Sequence, residues 1–276
     1  MSVAAKGAGQ VRILILGDIV GRPGRNVVNE HLADLKKELE LDLVVANAEN
    51  ATNGNGLTPK TADQLFNMGI DLITTGNHVW HYSELIDEIQ QLRRVLRPAN
   101  YPPGAPGHGH GIVTTRSGIK VGVINLIGRV FMNDVDCPFR AADALLDKIH
   151  RECDIILVDM HAEATSEKLA LGIYLDGRVT AVVGTHTHVP TADHRVMPGG
   201  TGLQSDLGMC GVYINSVIGV KPESVVNRFV NGMPARHVTQ EGPAMLCGAL
   251  ITAEAKNGRC VDIQPVRRGV GLTPAP

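Results

Sequence analysis

The segment Ala181-Val-Val-Gly-Thr-His-Thr-His-Val-Pro190 sets two histidines one residue apart where an apolar, β-branched run gives out. Side chains along a strand alternate faces, so a strand continuing through this point sends His186 and His188 one way and Thr187 the other. Two imidazoles on one side suit a shared cation, and taken alone they suit a polar strand end meeting water equally well. The pattern recurs: Leu16 is followed by Gly17-Asp18, Ala46 by Asn47-Ala48-Glu49-Asn50, Thr75 by Gly76-Asn77-His78, and Met160 by His161. Individually Asp18 can cap a helix, Asn77 can turn the chain and His161 can sit bonded in a core. Independent capping does not explain why carboxylate, amide and imidazole groups recur at each strand end, whereas a common metal centre does.

The elements that deliver these groups alternate regularly. Strand-like runs at 11–16, 42–46, 71–75, 121–126, 154–160 and 179–184 are separated by helical periodicity at 25–39, 60–68, 83–92, 141–152 and about 166–174. Near-continuous apolar strands joined by helices imply a mainly parallel sheet covered on both faces, with the carboxyl ends of its strands opening onto one crevice. Beyond Ala192 the texture shortens into HRVM, GVYI, MLCGALI and RCVDI, which read as antiparallel strands completing a second sheet packed on the first. No repeat or interior linker divides the chain, so residues 1–276 read as one domain, with 1–10 and 271–276 as frayed ends.

Composition narrows the function classes. A chain of 276 residues, 43% hydrophobic, can bury a sizeable core, and 26 basic against 28 acidic residues leave no basic stripe for a long nucleic acid. Five dispersed cysteines without a CxxC pair disfavour a disulfide framework or a cysteine zinc site and suit the cytoplasm. No run approaches the roughly 18 apolar residues of a membrane span, and the first ten residues lack a signal-peptide core. Gly17, Gly21 and Gly24 miss the dinucleotide G-x-G-x-x-G spacing, and no P-loop lysine follows them.

Oxygen and imidazole donors without thiolate point toward catalytic zinc, manganese or iron. Six or seven candidate ligands exceed one tetrahedral ion and suit two ions sharing a carboxylate, a centre that favours hydroxide and phosphate oxyanions. On these residues the sequence resembles a known family. GD at Gly17-Asp18, GNH at Gly76 to His78, the isolated His161 and GTHTH at Gly184 to His188 resemble, in order, the calcineurin-like metallophosphoesterase signature. GDIVGRPGR, ANAENATNGNGL, TTGNHVW, INLIGRVFM, DMHAEATSEK and GTHTHVPTAD are similar to its YmdB-like branch, the bacterial 2',3'-cyclic-nucleotide phosphodiesterases, from Val11 to about Asp193. Asp18-Ile19-Val20 replaces the superfamily's Asp-x-His, and Asn47-Ala48-Glu49-Asn50 its Gly-Asp-x-x-Asp, both as in that branch.

The resemblance implies an α/β fold, a four-layer α/β/β/α metallophosphoesterase sandwich of two mixed sheets flanked by helices. It implies Asp18, Glu49, Asn50 and His188 around one ion and Glu49, Asn77, His161 and His186 around the other, the ions being divalent or mixed-valence iron or manganese, or zinc. His78 then faces substrate, protonating the leaving oxygen or stabilising charge; its alternative is to orient Asn77. The implied reaction opens small cyclic phosphodiesters, 2',3'-cyclic nucleotides to 3'-nucleotides, by metal-bound hydroxide. A phosphomonoesterase, a nuclease and a metal-stabilised regulatory protein are the alternatives. The expected partner is a small phosphoester, with no membrane, no long nucleic acid and room for a homo-oligomer. Around this core, 124–140 forms a wall or lid whose Arg129 either contacts phosphate or lies on the surface. Glu163 or Ser166 supports the ligands or belongs to solvated loop polarity, and His108 and His110 in PGHGHG belong to a loop. Trp80 and Tyr101 are available for base stacking.

Overall fold

A computed structural model of the chain describes residues 5–275. In chain order the elements are β1 (Gln10–Leu16), β2 (Asp18–Ile19), α1 (Gly21–Glu38), β3 (Leu43–Asn47), α2 (Pro59–Asn67), β4 (Leu72–Thr74) and α3 (Ser83–Glu88). There follow β5 (His110–Thr114), β6 (Lys120–Ile127), α4 (Pro138–Ile149), β7 (Ile155–His161), α5 (Thr165–Tyr174) and β8 (Ala181–Thr185). The last third adds β9 (Arg195–Val196), β10 (Gly202–Gln204), β11 (Met209–Cys210), α6 (Pro222–Asn231), β12 (Met245–Glu254) and β13 (Cys260–Gly269).

Two mixed sheets carry the fold, one of five strands ordered β13-β12-β1-β3-β4 and one of six ordered β5-β6-β7-β8-β10-β9. Strand alternation explains their stacking. Val11, Ile13 and Ile15 of β1 point into the seam between the sheets with Val45, Val123, Leu157 and Val183, while Leu14 and Leu16 face outward onto α1 and α2. The second sheet repeats this, with Ile124, Leu126 and Val158 packing outward against Leu146 of α4 and Leu171 of α5. Each of these buried aliphatic side chains contributes about 1.5–3 kcal/mol by leaving water. The result is the four-layer α/β/β/α sandwich.

The strands expected beyond Ala192 distribute differently from the expectation. β12 and β13 form a hairpin that completes the first sheet, β12 pairing antiparallel with β1 from Gln10↔Glu254 to Leu16↔Gly248. The second sheet is built mainly from β5 to β8, all of them N-terminal to that region. Residues 222–231, expected as neither strand nor helix, form α6, which Pro222 opens at a position needing no N–H and Gly232 closes at φ 72°. His110, expected in a loop with His108, instead opens β5 opposite Ile124. Residues 1–4 and 276 of the ends expected to fray lie outside the described residues. In the described part, Lys6 Nζ pairs with Asp42 at 2.6 Å, and Arg267 N donates to Ala275 O at 3.2 Å. Among the described residues no helix is long and apolar enough to cross a membrane.

Candidate metal centre

Parallel pairing brings β1, β3 and β4 to a common edge in one sheet, and β7 and β8 in the other. Asp18 follows β1 at a tight turn where β2 lies against β11, Asp18 opposite Met209. Gly76 follows β4 under a closer constraint: a Cβ there would collide with the His161 ring and with Glu49 Oε2, so the loop passes the side chains only as glycine. His161 is the last residue of β7, so the strand runs one residue further than the sequence suggests. The opening pair departs further. β8 ends at Thr185, and His186 and His188 stand beyond it at φ 98° and 65°. Their common direction therefore comes from left-handed backbone rather than strand alternation, a conformation that surrounding bonds must hold.

These residues converge. Glu49 Oε1 lies 3.2 Å from His161 Nε2, which is also 3.0 Å from Asn77 Oδ1 and 3.1 Å from His186 Nδ1. One ring nitrogen cannot bond to all three, and such crowding of donor atoms suits a shared cation. Asp18 Oδ2 accepts from His186 N at 3.0 Å, while its Oδ1 is buried without a hydrogen bond, 3.8 Å from His161 Nδ1 and 3.9 Å from His188 Nε2. His188 Nδ1 is bonded to Ile218 O at 2.8 Å, which leaves Nε2 facing inward, 3.2 Å from Asn50 Nδ2. Asn50 Oδ1 is turned the other way, 2.7 Å from His78 Nδ1. His78 itself, its side chain 36% exposed, borders a cavity of about 250 Å³ together with Glu49, Asn50, His186 and His188.

Electrostatics explain why the cluster calls for a cation. Asp18 and Glu49 are fully buried, and among the described residues neither has a lysine or arginine partner. Burial raises the Asp18 carboxyl to about 6, against the pull of His188 and His161. Burial also pushes Glu49 up, but the charge and hydrogen bond of His161, with help from His78, outweigh it and hold Glu49 well below the carboxylate range. Burial opposes protonation of His161, yet Glu49, Asp18 and Asp159 together raise it to about 9. His186, desolvated and beside His161, falls to about 3, and burial lowers His78 against the pull of Glu49. Glu49, His161 and His186 offer ligand atoms within 4.8 Å of one another. Two desolvated carboxylates, an oxygen without a partner and convergent imidazoles fit hard or borderline dications.

Residues outside the expected set hold this geometry. Beneath His161, buried Asp159 accepts from Thr74 Oγ1 at 2.5 Å, Thr185 Oγ1 at 2.8 Å and Asn47 Nδ2 at 3.2 Å, and Thr185 Oγ1 lies 2.9 Å from His161 Nδ1. The signal was an aspartate inside the apolar run IILVDM. Beneath the histidine pair, Asp206 Oδ2 takes Thr187 Oγ1 at 2.6 Å, Thr187 N at 3.1 Å and the buried Lys168 Nζ at 2.7 Å. Lys168 and Glu167 stand in HAEATSEK, whose polarity suggests a solvated loop. Both are buried in α5, and Glu167 accepts the Arg129 N–H at 3.0 Å. Glu163 Oε2 reaches His186 Nε2 at 3.1 Å, and no bond of Ser166 to the cluster is present among the described residues. The Arg129 side chain is exposed and is not a wall of the His78 cavity, and Trp80 packs edge-on to Tyr101 at 5.6 Å outside it.

Comparison with known proteins finds relatives over nearly the whole chain. The sequence model of the YmdB-like protein family matches residues 14–266. A 2',3'-cyclic-nucleotide 2'-phosphodiesterase of Bacillus subtilis is 43% identical over 93% of this chain and 96% of its own length. A hypothetical protein from Thermus thermophilus superposes with a TM-score of 0.88 at 41% identity, covering 94% of this chain and 99% of that one. A structure described as a novel phosphatase, from Mycoplasma pneumoniae, gives 0.89 at 33% identity over 96% and 95% of the two chains.

Proposed function

The chain belongs to the YmdB-like protein family and is a phosphoric diester hydrolase, and from that premise we propose that it opens 2',3'-cyclic nucleotides to 3'-nucleotides. Two divalent cations, iron or manganese before zinc, would be held by Asp18, Glu49, Asn50 and His188 and by Glu49, Asn77, His161 and His186. The observation that carries this reading is the buried, unpartnered Asp18 Oδ1, 3.8 and 3.9 Å from the His161 and His188 imidazoles, with Glu49 against the same His161 ring and an open cavity beside them. The substrate class comes from the B. subtilis relative's name. When bound, the cations supply Lewis acidity, neutralising phosphoryl charge and making a nucleophile available near neutral pH.

The chain's own residues do the rest. Asn50 turns its Nδ2 toward Glu49 Oε1 and His188 Nε2 and its Oδ1 toward His78. Holding a cation requires the amide oxygen inward, and exchanging the two ends leaves Nδ2 donating to His78 Nδ1. His78 then carries its proton on Nε2, at the cavity, where it can donate a hydrogen bond to the leaving 2' oxygen and stabilise the charge that develops there. Glu49 steadies the loop that presents His78 by accepting its backbone N–H at 3.0 Å. All five cysteines are free thiols, in keeping with a cytoplasmic enzyme.

The test is hydrolysis of 2',3'-cyclic AMP by chelated protein reloaded with Mn²⁺ or Fe²⁺, with product isomer identified. The expected result is 3'-AMP, with His78→Ala lowering kcat by about 10²–10⁴-fold at unchanged metal content. Faster turnover of nitrophenyl phosphate than of any diester would replace this reading with a phosphomonoesterase.

A further inference from the structure

The His78 cavity has a mixed lining. Glu49, Asn50, His78, His186 and His188 contribute its polar groups, and its apolar lining is Val20, Ile218 and Val220. Asn53, His237 and Thr239 line it too, and the same three residues also line an adjoining recess of about 620 Å³. That recess is walled by Arg22, Arg25 and Arg236, with Glu241 as its one acidic residue. The candidate metal centre and the guanidinium cluster thus line adjoining recesses that share Asn53, His237 and Thr239.

The charge in the recess is only partly compensated. Glu241 pairs with Arg22 at 3.1 Å, and among the described residues Arg25 and Arg236 have no acidic partner. Arg25 Nη1 donates to the carbonyl of Ala51, and burial together with the neighbouring Arg22 charge lowers its pKa. A chain with a formal net charge of -2 has therefore gathered three arginines against one glutamate beside its candidate active site. The wall is also fixed in place. Thr239 Oγ1 donates to Asn53 O at 3.0 Å, Lys221 N to Val238 O at 2.8 Å and Gln240 N to Gly219 O at 2.8 Å. Guanidinium groups bind phosphate through paired N–H donors, and the apolar residues that line the adjoining His78 cavity suit a nucleoside.

We propose that the arginine recess binds a second phosphate, on the 5' side of the nucleoside whose 2',3'-cyclic phosphate lies at the metal centre. This rests on the cyclic-phosphodiesterase reading and sharpens its substrate class. The second phosphate is either a free 5'-phosphate or the 5'-side phosphodiester of a short oligoribonucleotide ending in a cyclic phosphate. A short chain needs only this local cluster and no basic stripe, so the recess accords with the exclusion of long nucleic acid.

Equilibrium binding tests the recess without requiring turnover. Manganese-loaded protein should bind adenosine 3',5'-bisphosphate at least about tenfold more tightly than adenosine 3'-monophosphate, a preference that weakens with salt. Combining Arg22→Ala with Arg236→Ala should bring the ratio near one, and Glu241→Gln, which frees Arg22, should raise it. Equal affinities in the wild type, or a ratio indifferent to all three substitutions, would overturn the proposal. Comparing kcat/KM for 2',3'-cyclic AMP, its 5'-phosphorylated form and a diadenylate ending in a cyclic phosphate separates the two sources. Preference for the 5'-phosphorylated mononucleotide alone assigns a free phosphate, and equal or greater preference for the diadenylate assigns the oligonucleotide. A retained bisphosphate preference with no cyclic substrate turned over would overturn the activity reading and uphold the phosphate site.

Discussion

Two clusters of buried charge meet at the His186-Thr187-His188 turn, and they are built on opposite plans. In one, Asp206 is closed on itself: Oδ1 takes Gly208 N at 2.8 Å, while Oδ2 takes Thr187 and the ammonium of Lys168. In the other, Asp18 and Glu49 are equally buried, have only histidines as ionisable counter-groups among the described residues, and leave Asp18 Oδ1 with no hydrogen bond. A buried carboxylate needs a counter-charge. The first cluster carries its own and acts as a brace for two residues with left-handed backbone. On the proposed reading the second is completed by a cation from solution. Similar burial therefore serves rigidity in one place and ligand affinity in the other.

Substitutions should separate the plans by sign. Asp206→Ala strands Lys168 in the core and releases Thr187, and should destabilise the metal-free protein by about 3–5 kcal/mol in urea unfolding. Pairing Asp206→Leu with Lys168→Met should recover much of that loss. Asp18→Asn should do the reverse. With the carboxyl held at about 6 against an ordinary 3.8, its ionised form costs the metal-free fold on the order of 3 kcal/mol at pH 8. The substitution should therefore stabilise the chelated protein while weakening metal binding, and equal destabilisation by Asp18→Asn and Asp206→Ala would break the comparison.

A smaller effect follows from His161. Its folded pKa of about 9 lies above the ordinary 6.5, so the folded protein holds a proton that the unfolded chain gives up first. That stabilisation is full below about 6.5 and is lost as pH rises through about 9, with a limiting slope near 1.4 kcal/mol per pH unit. Thermal melts of chelated protein should fall across this window, and metal-saturated protein, whose His161 is a neutral ligand, should lack the slope. A matching slope in both forms would remove His161 from the ligand set.

The contrast also explains what the sequence made legible. The candidate centre follows from period and position, because parallel strands share one carboxyl edge and each strand announces its end by a change from aliphatic to polar residues. Asp18, Glu49, Asn77 and His161 could be gathered on that rule, and His186 and His188 were gathered with them although their shared direction comes from positive φ. The brace was illegible for the same reason. Lys168 and Asp206 lie 38 residues apart with no periodic relation, and only the packing of α5 under the turn unites them. The arginine recess draws Arg22 and Arg25 from α1 and Arg236 from beyond α6, elements whose proximity no local pattern encodes. The destination of the β12–β13 hairpin was missed because alternation identifies a strand but not its neighbour.

The most direct test of the cation centre is a metal titration of chelated protein by calorimetry at pH 7.5 in two buffers of different ionisation heat, with Glu49→Gln alongside. The account predicts Mn²⁺ uptake at about two ions per chain, proton release as His161 becomes a ligand, and a large loss of affinity in Glu49→Gln. No uptake by the wild type, or identical uptake by Glu49→Gln, would contradict it.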